Sequence, residues 1–64
     1  MEQQLLTKIR QHEAYLLNLR DSLERRRINV NNSPTWAFQR AKMIGMLDML
    51  DVLKIDRSEF NWIF

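Results

Sequence analysis

An all-α fold, an antiparallel hairpin of two helices that dimerises into a four-helix bundle, is the architecture this sequence predicts. Three observations carry that expectation. Leu5, Ile9, His12, Leu16, Leu19 and Leu23 recur with a 4-3-4-3-4 spacing, which lines one face of a helix packed on another. A stretch that opposes helix, Ile28-Asn29-Val30-Asn31-Asn32, then leads into Ser33-Pro34, a strong helix-start signal. Finally, the 64 residues include one glycine and one proline, with 45% hydrophobic and 28% charged side chains, a balance typical of an ordered helical chain.

Helix 1 is expected over about residues 2–27. Leu6, Tyr15 and Leu17 widen its apolar stripe beyond a bare coiled-coil seam, as in the helices of globular bundles. The turn occupies 28–33. Ser33 is a natural N-cap, because its hydroxyl accepts from a free amide of the next turn, and Pro34 fits the first helical position, where a missing N–H costs nothing. Helix 2 follows from 34 to about 55, and so short a connection makes the helices antiparallel neighbours.

Helix 2 is apolar on two sides. Trp36, Met43, Leu47 and Leu50, flanked by Met46 and Leu53, form a stripe of large side chains, while Ala37, Ala41 and Gly45 form one of small side chains. A single neighbouring helix covers only one of these. Gly45 disfavours helix by about 1 kcal/mol relative to alanine, so a close backbone approach is expected there. The self-association candidates are therefore Trp36, Ala37, Ala41, Met43, Gly45, Leu47 and Leu50.

The tail, residues 56–64, ends in Phe60-Asn61-Trp62-Ile63-Phe64. As a helical turn it groups Phe60, Ile63 and Phe64; as a strand it alternates Phe60, Trp62 and Phe64. Two roles are open to it: covering the hairpin end near Leu5, Leu6 and Ile9, or anchoring in a partner's groove through Phe60, Trp62, Ile63 and Phe64.

Size argues for association. A hairpin this short buries too little surface to be comfortably stable alone, the chain has no cysteine for a disulfide, and one histidine without cysteine partners does not make a structural zinc site. A homodimer or a protein partner remains as the source of additional core.

Net charge is +2, too mild to imply nucleic acid by itself. The distribution is polarised: residues 20–42 carry six basic and two acidic side chains, and the rest of the chain four and six. Arg25, Arg26, Arg27, Arg40 and Lys42, with Arg20 nearby and Trp36 available for stacking, are the candidates for an alternative function as a nucleic-acid-binding hairpin. The simpler expectation is that the arginines complement the carbonyl end of helix 1.

No apolar run reaches the roughly 18 residues of a membrane span, and charges occupy the first 20 residues where a signal peptide requires an uncharged core. A cytoplasmic location without membrane contact is expected. His12, the single histidine, sits where an aliphatic residue belongs. Pairing residue 23 with about residue 38 brings it near Asp48, Met49 and Asp51, so that it is either a polar group fixing register or half of a proton-transfer pair. Asp48, Asp51 and Asp56 read as a solvated face rather than a metal site. Without a phosphate loop or a nucleophile–base arrangement, neither enzymatic activity nor a cofactor is expected. The functional expectation is a homo-oligomeric regulator or inhibitor that binds protein, a role that short stand-alone proteins of phages and mobile elements often have, an expectation drawn from size alone; a structural subunit of a larger assembly has the same sequence signature.

Overall fold

Side chains spaced by seven, Ile9, Leu16 and Leu23, lie buried in one line along the first helix, and Trp36, Met43, Leu47 and Leu50 lie buried along the second. Their mutual burial makes the hairpin. The computed structural model describes residues 2–64, with side chains from Gln3 onward. Helix α1 spans Glu2–Arg25 and α2 spans Pro34–Val52; a 3₁₀ turn at Val30–Asn32 joins them, and a 3₁₀ helix, Ser58–Ile63, follows α2. The described residues contain no strand. The chain's described residues are thus all-helical, with two long helices packed together, and none of the helices among them is long and apolar enough to cross a membrane.

Ser33 caps α2 through its side chain, accepting from the Trp36 amide at 3.2 Å, with Pro34 at the first helical position. Both helices end two or three residues before the expected bounds, at Arg25 instead of about 27 and at Val52 instead of about 55. The reason is one motif used twice. After α1, the Ile28 amide donates to the Leu23 carbonyl at 2.9 Å and the Arg27 amide to the Glu24 carbonyl at 3.0 Å. After α2, the Ile55 amide donates to Leu50 at 2.8 Å and the Lys54 amide to Asp51 at 3.1 Å. These paired bonds define the Schellman ending, which needs a left-handed residue. That residue is Arg27 in one and Lys54 in the other, each with φ 58°. The sequences match in type: Leu23-Glu24-Arg25-Arg26-Arg27-Ile28 and Leu50-Asp51-Val52-Leu53-Lys54-Ile55. In each, the isoleucine packs on the core and terminates the helix by a hydrophobic contact.

The register differs from the expected one. Residue 12 lies opposite Gln39 and Lys42 rather than Asp48 and Asp51: a His12 ring nitrogen is 3.1 Å from the Gln39 carbonyl oxygen, and His12 shares a groove with Lys42 and Met46. Ile28 and Val30 are half-buried against the core, so the connection folds down onto α1 and α2 begins further along it. The His12–aspartate pair is therefore not formed. His12 instead stacks on Tyr15, with ring centroids 5.8 Å apart.

Candidate functional site

The tail builds one surface. A 3₁₀ helix repeats every three residues, which places Phe60 and Ile63 on the same side, and both are buried in the core. Two of the four proposed anchor residues are thus part of the chain's own interior, while Trp62 and Phe64 remain partly exposed. The tail reaches α1 beside Arg10, the residue after Ile9. It runs back along one groove between the helices, toward the turn, and meets Arg10, Glu13 and Arg20 of α1 and Arg40 of α2.

Arginines hold each aromatic ring. The Arg10 guanidinium lies 4.8 Å from the Phe60 ring centre, Arg20 lies 5.1 Å from Trp62, and Arg57 lies 4.4 Å from Phe64. Such contacts occur about once per 70–80 residues, so three in one segment mark a built attachment. Polar bonds complete it. The Trp62 indole N–H donates to Glu13 Oε2 at 3.0 Å, and Arg40 Nε donates to the Ile63 carbonyl at 2.6 Å. Arg57 Nε donates to Asp51 at 2.8 Å, and Arg10 pairs with Glu59 and with Glu13. The hydrogen bond that Arg10 donates to Glu59 is the main reason its guanidinium is held above its ordinary pKa. At the start of the tail, Asp56 accepts from the Ser58 amide and hydroxyl, both at 3.0 Å, and the amide bond first, then the hydroxyl, lowers its carboxyl pKa.

These contacts divide the basic cluster. Arg40 and Arg20 belong to the tail, and Arg25 pairs with Asp21 four residues earlier at 2.8 Å. Arg25, Arg26, Arg27 and Lys42 are exposed. Among the described residues no group of acidic or histidine side chains is arranged to hold a metal.

The second surface is the outer side of α2. The large stripe, Trp36, Met43, Leu47 and Leu50, is spent within the chain and is not available for self-association. Gly45 is two residues from both Met43 and Leu47, which at 100° per residue turns it away from the core, and nothing lies within 4 Å of a Cβ placed there. The expected close approach at Gly45 is therefore not made to α1. Around it, Phe38, Met49 and Val52 keep 68%, 49% and 73% of their surface in solvent, and Ala41 is exposed beside them. Ala37, also exposed, turns toward the tail groove, where it meets Arg40 and Trp62. Sequence reasoning singled out Ala41 and Gly45 but missed Phe38, Met49 and Val52. The available signal was the 3-4-4-3 spacing of Phe38, Ala41, Gly45, Met49 and Val52, a second helical face. No protein-family model matches the chain, and neither a curated protein nor a solved structure shows significant similarity to it.

Proposed function

We propose that this chain is a small non-enzymatic protein-interaction module, a homo-oligomeric regulator or inhibitor that works by binding another protein surface. The observation that supports this reading is the outer face of α2: five apolar or small residues on one side of a helix whose opposite side already supplies the core. Solvent-exposed apolar patches of several hundred Å² mark binding sites in stable monomeric domains. The tail is the less suitable docking element, because Phe60 and Ile63 are occupied inside.

Affinity capture from the native host tests the reading. Phe38→Asp places a charge on the exposed face without touching the core, so it is expected to keep helicity and lose captured protein. Capture that is unchanged by Phe38→Asp and Val52→Asp contradicts an interaction surface on α2.

A second reading rests on Arg26 and Arg27, both exposed at the turn end. If they grip phosphates, RNA or DNA binding weakens steeply between about 50 and 200 mM salt, and alanine at Arg25, Arg26 and Arg27 flattens that slope. With Arg20 and Arg40 committed to the tail, no appreciable binding is expected at physiological salt.

A further inference from the structure

We infer that the occupant of the outer α2 face is a second copy of this chain, packed antiparallel about a two-fold axis through Gly45. This deepens the protein-interaction reading and rests on it. Two features of the face point to a copy of itself.

The first is area. Phe38, Met49, Val52 and the half-exposed Leu53, with Ala41 and Gly45, present roughly 500 Å² per chain, which a two-fold doubles to about the 1,000 Å² that a specific interface requires.

The second is shape. In an antiparallel pair centred on Gly45, each residue faces the one equally far beyond the glycine in the other copy. Phe38 then meets Val52, Ala41 meets Met49, and Gly45 meets Gly45. Small stands opposite large off centre, and the glycines let the two backbones approach. A parallel pairing sets Phe38 against Phe38 and Ala41 against Ala41, which leaves bulges and gaps. Antiparallel helices also align their dipoles favourably. Because the face lies opposite α1 on α2, the dimer is a row of helices, α1, α2, α2 and α1, rather than a square bundle in which each helix meets two neighbours at a corner.

Sedimentation velocity from about 1 to 100 µM tests the occupant. The expected result is a concentration-dependent monomer–dimer equilibrium whose dissociation constant rises at least ~100-fold in Phe38→Asp and in Gly45→Leu, with the helical circular dichroism signal retained. The chain has no cysteine, so single cysteines report geometry. Gly45→Cys is expected to oxidise to a linked dimer, and Ala41→Cys to link to Met49→Cys faster than to itself. Faster self-linking of Ala41→Cys overturns the antiparallel arrangement. A chain that stays monomeric throughout overturns the second copy as occupant. In that case, loss of captured protein by Phe38→Asp leaves the α2 surface standing with a different partner, and unchanged capture removes the protein-interaction reading as well.

Discussion

Lys54 and Arg27 occupy the left-handed region with ordinary side chains, a conformation in which a Cβ costs about 1–2 kcal/mol and glycine costs nothing sterically. Replacing either by glycine is therefore expected to stabilise the fold by about 0.5–1 kcal/mol, after the greater unfolded-state freedom of glycine is set against the relieved strain. For a domain of this size that raises the melting temperature by a few degrees, and thermal circular dichroism reads it; a lower melting temperature for Lys54→Gly contradicts the assignment of the helix end. Asp56 gives a pH dependence of known sign. Its pKa is lowered in the folded chain, first by the Ser58 amide, so its contribution is present above the unfolded aspartate pKa and is lost as pH falls through the folded one. Acid should loosen the tail first. The Trp62 indole resonance, hydrogen-bonded to Glu13, should shift on acidification, and the part of that shift owed to Asp56 should vanish in Asp56→Asn, which still accepts from Ser58 but does not titrate.

Among the elements, the tail has the largest stake in stability. Phe60 and Ile63 are almost fully buried, and burial of a large apolar side chain is worth roughly 1.5–3 kcal/mol, so deleting residues 60–64 should remove several kcal/mol. A truncation that melts like the full chain would falsify the packed tail. Glu13→Gln, which retains an acceptor for Trp62 but weakens the pairing with the exposed Arg10, should cost much less than the truncation, although Glu13 itself is half-buried. The sequence disclosed these elements unevenly. The two helices and the Ser33 cap followed from spacing and capping chemistry, which are local. The helix ends did not, because neither glycine nor asparagine stands at Arg27 or Lys54; only the repeated leucine–acid–two residues–base–isoleucine pattern announces them. The slide of α2 along α1 was hidden for another reason. Spacing fixes which side of a helix faces its partner but not how far it is displaced, and the burial of Ile28 and Val30 decided that. The tail grouped Phe60 with Ile63 as a helical turn does, yet nothing local told which groove receives it.

For the whole molecule, the two-sided character of α2 is the main consequence of the fold. The large stripe that sequence reasoning assigned in part to self-association is the intrachain core, and the exposed face consists of different residues, with Gly45 at its centre. The chain extends 38 × 17 × 16 Å, so a face running along α2 follows its long dimension, and covering it removes a large share of the exposed apolar surface. Leu47→Ala separates the two roles: it should cost about 2–5 kcal/mol by opening the core, whereas Phe38→Asp should leave the isolated hairpin's interior intact. The most direct measurement of this division of α2 is the melting temperature as a function of concentration for the wild type and for Phe38→Asp. Association through the outer face requires the wild-type melting temperature to climb over about a hundredfold increase in concentration, while that of Phe38→Asp stays flat; a wild-type melting temperature independent of concentration, matched by the variant, would contradict it.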